Sequence, residues 1–314
     1  MTSTSSPEIQ STPNFGLIGL GKMGANMVRR LAKQGLRVAV FDQDAEVTSA
    51  LATEVNAVAC TSLANMVSQL AVPRVLWVML PSGEVTEATL GQLQGLASPG
   101  DTLVDGANSN YKDSVRRAAH AEALGLHFMD AGVSGGVHGL ANGYCLMVGG
   151  STAALQAVQP YLEALAPGPT TGWLHAGPAG AGHFTKMIHN GIEYGMMAAL
   201  AEGLSLLKAK KDFDIDLADV TELWRHGSVV RSWLLDLTAQ TLQADQSLEN
   251  IKAHVPDSGE GRWTANESIE LGVPTPVMTL ALMSRFASQG ADDYASKLLA
   301  KMRQGFGGHA VGVV

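Results

Sequence analysis

The sequence predicts an α/β N-terminal half, built as a doubly wound sheet, followed by an all-α C-terminal half. Three observations carry this. An apolar run at residues 14–18 leads straight into Gly19-Leu20-Gly21-Lys22-Met23-Gly24, and a helix-like stretch follows. Near-continuous apolar runs then alternate with helix-like segments, the pattern of a parallel sheet covered on both faces. From about Pro178 the strand-like runs disappear and long helical stretches take over.

Each element has a local cause. Residues 14–18 read as a short buried strand, and residues 25–34 as a helix that Gly35 stops. Residues 37–41 form a second strand ending at Asp42. A GxGxxG between such a strand and helix is the dinucleotide-binding fingerprint in its required setting, so the sheet is of Rossmann type. Gly19 makes the tight turn, Gly21 admits the pyrophosphate to the backbone, and Gly24 allows close helix–strand packing. Leu20, Lys22 and Met23 fill the turn, and the helix N-terminus offers N–H groups to phosphate. Asp42 stands where an acid binds both ribose hydroxyls of the adenosine. Gln43, Asp44, Ala45 and Glu46 follow it, with no arginine to meet a 2′-phosphate, so NAD is expected, with NADP weaker.

Further strands are expected at 74–80, 102–105 and 127–130, with helices at 84–96 and 112–124. Ligands of such sheets lie beyond the C-terminal strand ends. Three loops fall at that edge: 80–82, with Leu80 and Pro81, 106–110, with Asn108, and 132–136, with Ser134, Gly135 and Gly136. Asn108 and Ser134 can exchange hydrogen bonds with a ligand, and Gly135 and Gly136 expose N–H groups to an anion. The expected domains are a flexible tail (1–13), an NAD-binding domain (14–177) and a mostly helical domain (178–314).

Composition narrows the function classes. The chain has 314 residues, 46% of them hydrophobic and 16% charged, enough for a full core in about two domains. A net charge of −8 argues against nucleic acid or anionic membrane as the main partner. Cys60 and Cys145 lie far apart, which suggests neither a disulfide framework nor a structural zinc site and fits a reducing cytoplasm. The longest strictly apolar run, residues 75–80, is far too short to span a bilayer. The Ser/Thr-rich opening lacks the apolar core of a secretion signal.

The most informative stretch is 180–211. It carries Lys186, His189, Asn190 and Glu193 at spacings of three, four and seven, which puts an amine, an imidazole, an amide and a carboxylate on one helix face. Phe184, Met187, Ile188, Ile192, Met196 and Met197 frame them. A polar stripe in so apolar a segment points to a site where protons move. His189 and Glu193 are four apart, but no third ligand is evident, so no metal is expected.

These stretches together resemble the decarboxylating 6-phosphogluconate dehydrogenases, in a short form of that family. The resemblance rests on GLIGLGKMGANM at the start, DGANSNYKDS at 105–114, SGGVHGLANGYCLMVGG at 134–150, GAGHFTKMIHNGIEYGMM at 180–197 and DSGEGRWT at 257–264. It implies that Lys186 is the general base and later acid, and that Glu193 is the second acid. His189 and Asn190 match residues that hold the substrate's hydroxyls and carboxylate, and Tyr194 matches a phosphate-binding tyrosine. Asn108, Ser134, Gly135 and Gly136 match loops touching substrate and nicotinamide. Arg262 stands for the family's phosphate-binding lysine, and Arg285 for a further phosphate ligand. Arg303 and His309 match an arginine and a histidine inserted into a neighbouring subunit's site, which implies a homo-oligomer, dimer or tetramer, with shared sites. The chain lacks much of the long form's C-terminal helical region, and it has Asp42-Gln43-Asp44 where many members carry Asn-Arg-Thr and use NADP.

The implied reaction is oxidative decarboxylation of 6-phospho-D-gluconate to D-ribulose 5-phosphate, CO2 and NADH, a step of the pentose phosphate pathway. Lys186 must start neutral, although a free lysine titrates near ~10.4. One competing reading is a β-hydroxyacid dehydrogenase of the 3-hydroxyisobutyrate type, which has no use for Glu193 or for Tyr194, Arg262 and Arg285 together. Another is a non-catalytic NAD-binding sensor, which would be free to lose Lys186 and Glu193.

Overall fold

The protein is described from a computed structural model covering residues 12–290, 293–307 and 310. The tail expected at 1–13 lies outside these residues except for Thr12 and Pro13. The chain begins β1 (Phe15–Ile18), α1 (Lys22–Lys33), β2 (Ala39–Phe41), α2 (Ala45–Val55), β3 (Val58–Ala59) and α3 (Leu63–Gln69). Next come β4 (Val75–Val78), α4 (Glu84–Leu96), β5 (Thr102–Asp105), α5 (Tyr111–Ala123) and β6 (His127–Ser134). A short 3₁₀ turn and α6 (Gly139–Asn142) lead to β7 (Cys145–Gly150), α7 (Thr152–Leu165) and β8 (Trp173–Gly177).

The eight strands form one sheet in the order β3-β2-β1-β4-β5-β6-β7-β8. β1, β4 and β5 are buried along their whole length, as doubly covered strands must be. Alternation splits β1 between two cores. Phe15 and Leu17 pack with α1 and α7, while Ile18 packs with α3, α4 and α5. Local caps fix the helix starts. The side chains of Asp44, Ser62, Asn110 and Ser151 each accept backbone N–H groups at the head of α2, α3, α5 and α7.

Three expectations are corrected. The sheet is mixed, because β7 runs antiparallel to β6. The strand expected at 127–130 continues to Ser134, so Gly132, Val133 and Ser134 lie in β6 and only Gly135 and Gly136 turn out of it. The antiparallel partner explains the extension, since it supplies ladder bonds from Met129 to Ser134 that a parallel neighbour ending at Asp105 could not. The strands β3, β7 and β8 were not expected, and β3 is only two residues long.

After Gly177 all further described elements are helical: α8 (Ala181–Ala209), α9 (Leu217–Arg225), α10 (Trp233–Ala244), α11 (Glu260–Leu271), α12 (Pro276–Ser288) and α13 (Asp293–Gly307), with a 3₁₀ turn before α9. The chain divides into two compact units, residues 1–187 and 188–314, so the division falls within α8. In the second unit Leu204, Leu217 and Leu242 form a small core of their own. Among the described residues no helix is long and apolar enough to cross a membrane.

Candidate active site

The nucleotide end of the first unit follows from three glycines. Gly19 adopts a left-handed φ of +94°, which turns the chain from β1 towards α1, and its N–H donates to the Phe41 carbonyl at 2.9 Å, which carries the β1–β2 ladder one residue past the strand end. A Cβ on Gly24 would stand 2.0 Å from the Gly19 carbonyl oxygen, so only glycine lets α1 start this close. A Cβ on Gly21 would meet nothing within 4 Å, and the backbone there is open to an approaching group. Leu20 is buried and Lys22 exposed, while Met23 packs against the α1 side of the core.

Asp42 is held firmly. Its Oδ2 accepts from the Leu20 N–H at 2.7 Å and its Oδ1 from the Asp44 N–H at 3.0 Å. Each oxygen keeps a further lone pair for a ligand hydroxyl. The buried Thr48 accepts from the Asp42 N–H at 3.0 Å, a support that sequence reasoning missed. A cavity of about 540 Å³ opens beside this turn, lined by Gly19, Asp42, Leu80 and Pro81 together with Ser62, Thr89 and Gln92. Four of the ten expected cofactor residues, Gly19, Asp42, Leu80 and Pro81, thus line one cavity, which offers a carboxylate for a ribose diol, while the backbone at Gly21 is open to phosphates. These residues fit NAD. Asp44 and Glu46 stand exposed just beyond Asp42, where a 2′-phosphate would meet like charge.

Asn108 sits in the left-handed region, with φ +52°. Its amide clamps one backbone residue from both sides. Nδ2 donates to the Val133 carbonyl at 3.2 Å, and Oδ1 accepts from the Val133 N–H at 2.8 Å. One N–H and one lone pair are left for a ligand, and the clamp fixes the residue before Ser134. The loop is braced from behind by Arg117, which is 3% exposed and donates to Asp105 at 2.6 Å and to Ser109 at 3.1 Å.

The base of α8 is tied to β6 and β7 by small residues. A Cβ on Gly132 would lie 2.4 Å from the Lys186 Cβ, and one on Gly182 would lie 2.5 Å from the Met147 carbonyl oxygen. Asp130 completes the attachment. Fully buried, its carboxylate accepts from the Gly180 N–H at 2.6 Å and from the His183 N–H at 2.7 Å. Burial pushes this carboxyl above the usual carboxylate range, opposed by the neighbouring His183 and by the backbone donors. Sequence reasoning missed Asp130 because its partners lie 50 and 53 residues away.

Lys186 is only 5% exposed. Its apolar frame is split: Met187 is 1% exposed and Phe184 and Ile188 are half-buried, whereas Ile192, Met196 and Met197 are 51%, 43% and 41% exposed, so only the part nearest Lys186 is the buried surround that composition suggests. Along the same continuous helix His189, Asn190 and Glu193 follow. The His189 Nδ1 lies 2.9 Å from the Asn190 Oδ1 and 3.8 Å from the Glu193 carboxylate.

The second unit gathers the remaining candidates. Asn190 donates to Glu260, a buried acid at the head of α11 that the sequence did not single out. The Tyr194 hydroxyl lies 3.2 Å from the Ser258 Oγ, and the Arg285 guanidinium stacks over the Tyr194 ring at 3.4 Å. Arg262 pairs with Asp257 at 3.1 Å and lies 4.3 Å over the Phe286 ring. Tyr194 and Arg285 are therefore in contact, with Arg262 held to the same 257–258 turn. The Asp257 carboxyl is kept below its ordinary range chiefly by Arg262, and Arg285 adds to the effect. Arg303 is exposed on α13, and His309 lies outside the described residues. Among the tryptophans, Trp77 is fully buried, whereas Trp233 is 48% exposed.

Comparison with known proteins identifies the family. Residues 14–174 match the NAD binding domain of 6-phosphogluconate dehydrogenase, and residues 182–309 match the 6-phosphogluconate dehydrogenase C-terminal domain. The chain is 43% identical over 299 residues to the Bacillus subtilis protein YqeC, covering 94% of this chain and 98% of that one. It is 40% identical over 298 residues to the NAD(+)-dependent, decarboxylating 6-phosphogluconate dehydrogenase of Haloferax volcanii, covering 95% and 98%. It is 38% identical to a decarboxylating 6-phosphogluconate dehydrogenase from Synechococcus elongatus, covering 87% of this chain and 61% of that one. Among solved structures, Plasmodium falciparum 6-phosphogluconate dehydrogenase is similar at a TM-score of 0.80 and 26% identity, over 96% of this chain and 66% of that one. A Salmonella typhimurium 3-hydroxyisobutyrate dehydrogenase, at 0.72 and 23%, shares the fold. The chain belongs to the 6-phosphogluconate dehydrogenase family.

Proposed function

We propose that the protein catalyses the NAD-dependent oxidative decarboxylation of 6-phospho-D-gluconate to D-ribulose 5-phosphate and CO2. In this reading residues 14–177 bind the dinucleotide and residues 178–314 bind substrate and assemble the oligomer. The observation that carries it is α8, which presents a buried amine and, two turns on, a carboxylic acid along one face. Similarity at 40% identity over nearly the full length of an NAD(+)-dependent decarboxylating relative supports the same chemistry.

Bound NAD supplies the acceptor for the hydride that leaves C3 of the substrate. Lys186, in its neutral form, takes the C3 hydroxyl proton as that hydride departs. The resulting β-keto acid loses CO2 when Lys186 returns the proton to the carbonyl oxygen, because the electrons of the breaking C1–C2 bond then have an acceptor. Glu193 gives a proton to the carbon that has lost CO2, while Lys186 takes back the proton of the neighbouring enediol hydroxyl. Each such transfer contributes on the order of 10²–10⁴ in rate.

His189 and Asn190 hold the hydroxyls and carboxylate beside these groups. Asn108 and the Ser134-Gly135-Gly136 turn orient substrate against nicotinamide. Tyr194, Arg262 and Arg285 hold the phosphate, and for this Arg262 must share its guanidinium with Asp257. Arg303 and His309 would reach a neighbouring subunit's site. Homo-oligomer formation is supported by apolar residues left exposed on the single chain, among them Ile269 at 78%, Val277 at 67% and Leu280 at 65%. A cytoplasmic location fits the two free cysteines.

The test is steady-state turnover of 6-phosphogluconate with NAD and with NADP, alongside 3-hydroxyisobutyrate. Turnover of 6-phosphogluconate with NAD preferred is expected. Turnover of 3-hydroxyisobutyrate alone would overturn the reading.

A further inference from the structure

Beneath Lys186 lies a buried polar cluster that the reaction above does not use. Asp130 of β6 is 0% exposed, His183 of α8 is 1% exposed, and Ser114 of α5 is 0% exposed. The His183 Nδ1 lies 2.8 Å from the Ser114 Oγ. The other ring nitrogen, Nε2, is buried and has no hydrogen-bond partner among the described residues. A core so placed would ordinarily be filled by apolar side chains, since an unsatisfied buried polar atom is costly.

The geometry gives these groups a common task. In a capping box, two side chains local to the helix start satisfy the N-cap and N3 N–H groups. Here one carboxylate from a different element takes both, the N–H groups of Gly180 and His183, so the register of α8 against β6 is set from the strand. The same strand carries Gly132 under Lys186 and ends in Ser134. His183 precedes Lys186 by three residues, on the same helix face. Its ring ties that first turn to α5, and Tyr111, at the head of α5, meets Phe184 edge-on at 5.2 Å.

We propose that Asp130, His183 and Ser114 are positioning residues that hold the first turn of α8 so that the Lys186 amine stays in register with the end of β6 at Ser134. The inference rests on Lys186 being the base. Asp130 spans both N–H groups only while α8 sits at one depth and one rotation on β6. Without it the turn is free to shift, and a misplacement of about 1 Å at a reacting group can lower turnover about 10²-fold.

The test compares Asp130→Ala, Asp130→Asn and Ser114→Ala with wild type and with Lys186→Met, measuring kcat, both KM values and NAD affinity by fluorescence titration. In Asp130→Ala kcat falls about 10²-fold while NAD affinity and KM for 6-phosphogluconate stay within about threefold. Asp130→Asn keeps one acceptor oxygen and recovers part of the loss. Ser114→Ala shows a smaller drop, also in kcat alone. If Asp130→Ala does not fold, the comparison is read from the other two variants. Wild-type kcat in folded Asp130→Asn and Ser114→Ala would overturn the inference. So would a loss confined to thermal stability, or one spread equally over kcat and NAD affinity. Lys186→Met separates the two levels: residual turnover there refutes the assignment of the base, whereas a dead Lys186→Met beside unimpaired Asp130 and Ser114 variants refutes only the positioning role.

Discussion

Gly132→Ala is the perturbation whose size can be worked most directly from the structure. The added methyl would stand 2.4 Å from the Lys186 Cβ, 3.0 Å from its Cγ and 3.1 Å from the Gly182 carbonyl oxygen. Non-bonded carbons settle at about 3.5–4.0 Å, so the first distance must open by about 1 Å. The obstacle is the root of the lysine side chain, which cannot swing aside as its amine could. Either α8 lifts from β6 or the strand bends, and both move the amine relative to the end of β6 at Ser134. Overpacking of this kind costs about 1–3 kcal/mol of stability. Displacement by about 1 Å at the base costs about 10²-fold in kcat. The assay is steady-state NADH production by Gly132→Ala, with Gly91→Ala as control, because a Cβ on Gly91 of α4 meets nothing within 4 Å. The control should keep wild-type kcat. Wild-type kcat in folded Gly132→Ala would refute the argument that close strand–helix packing places the base.

Other consequences can be checked separately. Lys186→Met should abolish turnover and leave NAD affinity near normal in fluorescence titration, and lost NAD binding would contradict its assignment. Asp42→Ala should weaken NAD far more than NADP in the ratio of the two KM values, and an equal effect on both would sink the second-strand argument. Glu87 is held at about 2, against an ordinary 4.5, chiefly by Arg116 and then by Arg117. Its folded value is depressed, so its stabilisation is present above about pH 4.5 and fades as pH falls towards 2. Since Glu87 and Arg116 are largely exposed and the buried Arg117 keeps its bond to Asp105, Glu87→Gln should cost only about 1 kcal/mol at pH 7 by urea unfolding, and less at pH 3. Burial pushes the Cys60 thiol up to about 11, whereas Cys145 is exposed, so an aromatic disulfide reagent at pH 8 should titrate one thiol rapidly and one only on unfolding.

The sequence made legible what depends on neighbours along the chain. The β1–α1–β2 turn could be read because glycines at fixed offsets and a strand-end acid all act within some thirty residues. The strand at Thr102–Asp105 and the helix at Glu84–Leu96 match their apolar patterns to the residue. β7 escaped because Cys145–Gly150 ends in two glycines, and its antiparallel pairing is fixed by β6 rather than by its own residues. The spacing of Lys186, His189, Asn190 and Glu193 gave a shared face. It could not show that Lys186 is buried while Ile192 is exposed, because burial depends on what packs against the helix. Asp130, Ser114 and Glu260 were illegible for the same reason, since each meets its partner across fifty residues or more.

Coupling between oxidation and carbon–carbon cleavage is the centre of the proposed chemistry, and product stoichiometry tests it most directly. With 6-phosphogluconate labelled at its carboxyl carbon and NAD as oxidant, labelled CO2 and NADH should appear in equal amounts and at equal rates. NADH formed without release of the labelled carbon would show a dehydrogenase that stops at the keto acid, and would contradict the roles of Lys186 as returning acid and of Glu193 as second acid.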